Sequence, residues 1–551
     1  MKQRTIRPGQ LMLLLGIALV HVAAWFAYYS ALPAGKYPTD EARATLNAAQ
    51  AIAAGHSGDE RSLEGISLYT YALSIIARFS ETNEDLTTAA RALNALALLW
   101  ITGACASAAS RYWQSNRAVW IAGFLVGLNP VLVFWAGEIS PALLASAGMS
   151  TAVAYLLPWF KNTRTRSTLI IAVSLALASA LQTALLPFAV LWPIFAFFYP
   201  IHQKAAHLTF AIGPLAFLSG LVLLTSLSLQ TPWQWASESL TQPAYLAYAA
   251  LANQEIPQGK SFAFHRELHL LLFLNPIHWG ALFILAGAGF YARIKEHPWS
   301  PTVLIAIVTL LLFALSFALN DGGSQTRASM IPLVAIFAAG AYQIPRFWHD
   351  TNSSRRLKLL SAGLLLAVFS YAANFATDNS KTWAPDYVHL AKANLAMDQN
   401  RRATTWAKKA LKLSPARLDM KEILVLAQFN DWAMGNQPRT LPSETAREYL
   451  AATKPVQDKS RLRTIRAIYQ YKLRETEKAL AGWRAEKATC PLALLCLYWT
   501  GNTEQEGLGD IAVYPESPYR ELLVNALRVD RNALDYTDIE KKVDNLLAVA
   551  Y

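Results

Sequence analysis

Of 551 residues, 54% are hydrophobic and only 16% charged, against the roughly 25% charged share of ordinary soluble chains. A chain this apolar is most simply accommodated by lipid, which excludes intrinsic disorder, a collagen-like structure and a small disulfide scaffold. The formal charge of +12 is what a polytopic membrane protein collects as Lys and Arg in its cytoplasmic loops, so it gives no ground for a nucleic-acid partner.

In chain order, Leu11 to Ala31 follows Lys2, Arg4 and Arg7 and is long enough to cross a hydrocarbon core, which takes about 20 helical residues. A cleaved signal peptide has the same flanks. An uncleaved span is preferred because ten more are expected, at 89–110, 118–136, 141–160, 168–183, 185–200, 207–229, 270–290, 300–320, 329–346 and 357–376. Ser67 to Phe79 is too short to span and reads as a juxtamembrane or half-inserted helix. The predicted fold class is therefore all-α. A membrane helical bundle of about eleven spans fills residues 1–376, followed by a soluble helical-repeat-like domain over residues 377–551.

Eleven crossings from a cytoplasmic N-terminus put Arg111, Arg117, Lys161, Arg164, Arg166, Lys204, Arg293, Lys295, Arg346, Arg355, Arg356 and Lys358 on the cytoplasmic side, as the positive-inside rule requires. Two long outer loops result, 33–88 and 230–269, and the odd count places the C-terminal domain outside the cytoplasm. The expected location is a plasma (inner) membrane.

In the first outer loop, YPTDEARATLNAAQAIAAG places Leu46, Ala49 and Ile52 or Ala53 on one helical face. This is a short amphipathic surface helix, capped by Thr39 or Asp40 and ending near Gly55. Acidic residues in its first turn suit the free N–H groups and the helix dipole whatever else they do.

The second outer loop ends in His265-Arg266-Glu267-Leu268-His269. Two histidines four apart share a helix face and could bind a metal, but the order is not HExxH and no third ligand is evident, so no metal site is assigned. Arg327 follows the turn Asn320-Asp321-Gly322-Gly323-Ser324, from which a guanidinium could meet a phosphate bidentately, or else snorkel at the interface.

In the C-terminal domain, LAKANLAMDQNRRATTWAKKALKLSP resembles a tetratricopeptide repeat, with Leu390, Ala391, Ala403, Ala410 and Pro415 at its small and turn positions. A looser second unit places Ala467 and Ala479 similarly. An irregular helical domain with chance alanines is the alternative. Cys490 and Cys496 lie outside the cytoplasm on this topology, where a disulfide could persist, while Pro491 suggests a helix start that carries the two thiols to different faces and argues against one.

Several of these features recur together: the acidic pair after the first span, the surface helix ending in glycine, SLYTYALSIIARF, an Arg-led span from Arg91, the basic turn RYWQSNR, LNPVLVFWAGEISPALL, and QTRASMIPLVAIFAAGAY. With them, residues 10–345 resemble the polyprenyl-phosphate-sugar-dependent GT-C membrane glycosyltransferases, nearest the protein O-mannosyltransferases and lipid A aminoarabinose transferases. The resemblance implies that Asp40 is the catalytic base or acceptor-binding carboxylate, with Glu41 beside it, and that Arg327 binds the lipid phosphate. Arg266 and Lys260 would assist with phosphate.

The chain departs from that pattern in having Ile66-Ser67-Leu68-Tyr69 in place of a Pro-Pro-Leu-Tyr run, and Glu138-Ile139-Ser140-Pro141-Ala142 after the Asn-Pro turn. Glu138 either replaces the family's second acidic group or is a solvated residue at a span end. The expected activity is transfer of a sugar from a polyprenyl-phosphate donor to an extracytoplasmic glycan, lipid or protein acceptor. The membrane lipids are further partners, and a protein could dock on the C-terminal domain. No cofactor is fixed by the sequence, which leaves room for a divalent metal. The rival readings are a transporter or flippase of lipid-linked sugars, which expects mid-membrane ionisable residues and internal repeats, and a non-catalytic scaffold.

Overall fold

The computed structural model describes residues 6–55, 67–159, 165–182, 185–190, 260–275, 277–296, 324–345, 383–433, 443–453 and 460–486, with isolated positions within 303–313, 361–368 and 493–497. All regular structure among the described residues is helical. The chain divides into two units, Met1–Thr382 and Trp383–Tyr551.

The first unit begins with α1 (Pro8–Ser30), which opens on a proline whose missing N–H would have no helical partner anyway. Leu14, Ala18, Val22, Trp25 and Tyr29 recur every three or four residues and are buried, while Met12 and Val20 on other faces are exposed. After the short α2 (Pro33–Lys36) comes α3 (Asp40–Ala53), capped by the Thr39 side chain and followed by Gly55 at φ 77°. Helix α4 (Leu68–Ala77) packs on α3, and Leu46, Tyr69, Leu73 and Leu86 share its core. The long α5 (Asn83–Trp113) starts at a capping box, Thr82 and Asp85 each accepting from the other's backbone N–H.

The span expected at 118–136 is two helices, α6 (Asn116–Gly127) and α7 (Pro130–Gly137), bent by 43°. Pro130 cannot continue a helix from the preceding turn, because it lacks an N–H and its ring crowds the carbonyl four residues back. Asn129 restarts the helix, its Oδ1 accepting from the N–H groups of Val131 at 3.0 Å and Leu132 at 3.3 Å. The carbonyl of Leu128 at the break accepts from Asn275 Nδ2 at 2.6 Å.

Helices α8 (Ala142–Trp159) and α9 (Thr165–Leu181) pack on each other, and α8 also packs on α5. The span expected at 270–290 is likewise interrupted. Phe262–Leu268 forms α10, Leu270–Phe273 forms α11, and α12 runs over Trp279–Glu296 beyond Asn275 and Pro276. Helix α13 (Ser324–Ala338), which runs on into a 3-10 turn over Ala339–Gln343, packs on α12, α8, α5 and α6. Gly289 is required where α12 meets α13, since a Cβ there would overlap the Phe337 carbonyl.

Among the described residues, α1 and α5 are each long and apolar enough to cross a membrane, and a third crossing is reached if the α6–α7 pair counts as one broken span. The chain is thus a helical membrane protein. The spans expected at 207–229, and most of those at 185–200, 300–320 and 357–376, lie outside the described residues, as do Cys490 and the greater part of the 230–269 loop.

The second unit contains α14 (Ala384–Ala396), α15 (Asn400–Leu413), α16 (Leu418–Ala433), α17 (Ser443–Thr453), α18 (Ser460–Lys472) and α19 (Thr476–Glu486). Ala391, Ala403 and Ala410 are fully buried between α14 and α15, and Ala467 and Ala479 between α18 and α19. The two hairpins close with the same turn. Asp398 at φ 56° and Arg474 at φ 64° take the left-handed conformation, and the N–H of the next residue returns to the carbonyl of Asn394 or Gln470, at 2.9 Å in both. Cys496 is buried in this unit's core with Phe429, Tyr469 and Trp483.

Candidate functional site

Among the described residues of the first unit, one buried and one partly buried polar cluster lie close in sequence, and α7 and α10 contribute to both. The first surrounds Glu138, immediately after α7. Lys260, just before α10, donates through Nζ to Glu138 Oε1 at 2.8 Å, to Oε2 at 2.7 Å and to the Tyr29 hydroxyl at 2.9 Å. Tyr29 in turn donates a short hydrogen bond to Glu138 Oε1. Burial alone would raise the Glu138 carboxyl, but the Lys260 charge and hydrogen bonds, the Tyr29 hydroxyl and the His265 ring outweigh it and hold the group well below the usual carboxylate range. Of the readings open for Glu138, solvation at a span end is therefore not observed, since the residue is 7% exposed and ion-paired.

Backbone groups complete this cluster. Asn94 Nδ2 donates to the Glu138 carbonyl at 2.6 Å, and Arg91 Nε donates to the Gly137 carbonyl at 2.9 Å. Arg91 also donates through Nη2 to the Gly35 carbonyl, tying α2 to α5 and α7. His269 stands edge-on to Trp25, Tyr28 and Tyr29, with Nδ1 at 3.2 Å from the Tyr28 hydroxyl and Nε2 at 3.4 Å from His265 Nδ1. Burial, followed by His265 and Lys260, lowers His269 to about 3, so its imidazole is neutral. No group of three or more His, Cys, Asp or Glu side chains is placed to hold a metal among the described residues.

The second cluster is a pocket between α7, α10, α12 and α13. Pro130, Val131, Phe262, Ile277 and Ile331 form apolar walls, and Arg266, His278, Trp279 and Arg327 supply the polar groups. Arg327, in the first turn of α13, is 2% exposed and its guanidinium carbon lies 5.5 Å from the centre of the Trp279 ring. Arg266 Nη2 lies 3.2 Å from His278 Nε2.

The turn that bears Arg327 is held by neighbours on both sides. Gln182 Nε2 donates to Thr326 Oγ1 at 3.3 Å, Ser329 Oγ donates to Gln182 Oε1 at 2.9 Å, and Ser146 Oγ is 3.3 Å from Ser329 Oγ. Two guanidiniums lining an apolar-walled pocket have the chemistry to meet a compact anion, because each offers several N–H donors.

Of the residues expected from sequence, Arg266 and Arg327 thus share one pocket. Lys260 and Glu138 pair with each other in the neighbouring cluster. Asp40 and Glu41 occupy the first turn of α3 and line neither, Asp40 being exposed and ion-paired with Arg43, which lies over the Tyr37 ring. His269, read from sequence with His265 as a possible metal-binding pair, joins the Glu138 cluster, while the buried Tyr29 and half-buried Arg91 are polar residues to which sequence reasoning gave no role. Aromatic and basic residues at span ends ordinarily read as interfacial anchors, so nothing local marks them. No family model matches the chain, and no curated protein matches it.

Proposed function

We propose that this protein is an integral membrane glycosyltransferase that moves a sugar from a polyprenyl-phosphate donor to an extracytoplasmic acceptor. The observation that carries the reading is Arg327. A guanidinium 2% exposed on an apolar helix, sharing a pocket with Arg266, suits the phosphate of a lipid whose chain runs along apolar walls. In the step, the acceptor hydroxyl oxygen bonds to the anomeric carbon while the bond from that carbon to the phosphate oxygen breaks. The acceptor proton passes to Asp40, and the bonding electrons leave with the polyprenyl phosphate, whose charge Arg327 and Arg266 stabilise. Attack from the face opposite the phosphate inverts the anomeric carbon. Glu41 orients the acceptor or the base.

The same reading takes eleven spans, a plasma-membrane location and an extracytoplasmic second unit whose helical hairpins dock the acceptor or a partner protein. Donor binding and single-turnover transfer on two variants test it. Asp40→Asn keeps the shape but removes the base, so turnover falls by roughly 100-fold or more while donor binding persists. Arg327→Ala weakens donor binding and slows turnover together. An Asp40→Asn protein with wild-type turnover would end the catalytic assignment.

A further inference from the structure

The two clusters are joined by the chain itself. Glu138 directly follows α7, whose Pro130 and Val131 wall the Arg327 pocket, and Lys260 stands two residues before α10, whose Phe262 and Arg266 also wall it. The Glu138–Lys260 pair therefore fastens together two elements that must keep their spacing for the pocket to keep its shape. Both side chains are at least nine-tenths buried, and the Tyr29 hydroxyl closes the third side. Lys260 and its carboxylate partner satisfy each other here, with three Nζ hydrogen bonds no longer than 2.9 Å.

We propose that Glu138 and Lys260 are positioning residues, a buried ionic clamp that holds α10 on α7 and so sets Arg266 against Arg327 in the anion pocket. The clamp itself is independent of the donor assignment. Its effect on a lipid phosphate rests on that assignment.

The clamp and direct phosphate contact by Lys260 predict opposite signs. If Lys260 were a phosphate ligand held back by Glu138, Glu138→Gln would free it and tighten binding. The clamp instead predicts weaker binding, because removing one member leaves a buried, uncompensated charge that drives α10 from its seat.

The experiment uses the full chain in detergent with farnesyl phosphate as probe, and follows hydrogen exchange by mass spectrometry in parallel. Glu138→Gln and Lys260→Met should each weaken farnesyl phosphate binding about 10-fold or more and speed amide exchange across 262–268, with exchange across α14 and α15 unchanged. The double variant Glu138→Gln/Lys260→Met leaves no orphan charge, so it should lie closer to wild type than either single variant in both measurements. Additive losses in the double variant, tighter binding in Glu138→Gln, or single variants that exchange like wild type would overturn the clamp. Should the single variants fail to accumulate, rescue in the double variant supports it and failure of the double overturns it. Wild-type protein that does not bind farnesyl phosphate, with the exchange pattern still coupled, would remove the donor reading and leave the clamp standing.

Discussion

His269 shows how burial sets the behaviour of one side chain. It is 6% exposed and held neutral, at about 3, by burial first and then by His265 and Lys260, with Glu138 opposing. An unfolded histidine titrates near 6.5, so between those values the unfolded chain binds the extra proton and the folded chain does not. This contribution to stability is complete above about pH 6.5 and is lost progressively as pH falls toward 3. Thermal unfolding in detergent should therefore shift to lower temperature between pH 7 and pH 5. His269→Gln keeps a polar group near Tyr28 without the titration and should flatten that slope, and an unchanged slope would show that other groups set it.

Among helices, local chemistry announces some boundaries and hides others. The limits of α3 were legible, since Thr39 caps it and Gly55 follows it as expected, and Arg327 does lead a helix into the bundle. The break between α6 and α7 was not anticipated, although Asn129-Pro130 carried the signal. From Ala118 to Ala136 the chain is almost wholly apolar, so hydropathy reports one span and no periodicity contradicts it. The same blindness covers Asn275-Pro276.

The pairing of Glu138 with Lys260 lay beyond sequence reasoning for a different reason, since 122 positions separate them and nothing local links a carboxylate to one distant lysine. Because Asn129 is buried and its side chain accepts from the Val131 and Leu132 N–H groups at the start of α7, Asn129→Ala should cost about 1 kcal/mol of stability, within the usual span of helix-cap losses. Denaturant or thermal unfolding in detergent measures it, and a loss near zero would mean water replaces the cap.

At the scale of the whole molecule, the two-unit division falls within a few residues of the compositional change at 377, because charge density and apolar run length are properties a sequence states directly. The second unit has its own core, built from Phe429, Tyr469, Trp483 and the alanines between its paired helices. Residues 383–551 expressed alone should consequently give a cooperative helical melt by circular dichroism. A fragment that remains unfolded would mean its helices depend on the membrane unit.

The distance along the chain between Glu138 and Lys260 also has a meaning in time. Ribosomes add roughly 5–20 residues per second, so the 122 positions between them represent roughly 6–24 s of synthesis. Throughout that interval the carboxylate has no ammonium to receive it, and α7 cannot seat its end in the bundle without stranding a charge. The pocket between α7 and α10 is therefore complete only after the segment carrying Lys260 has been synthesised. Nascent chains stalled before Lys260 would expose α7 to quality-control proteases, so accumulation of the protein would be the first thing to register the loss of either residue.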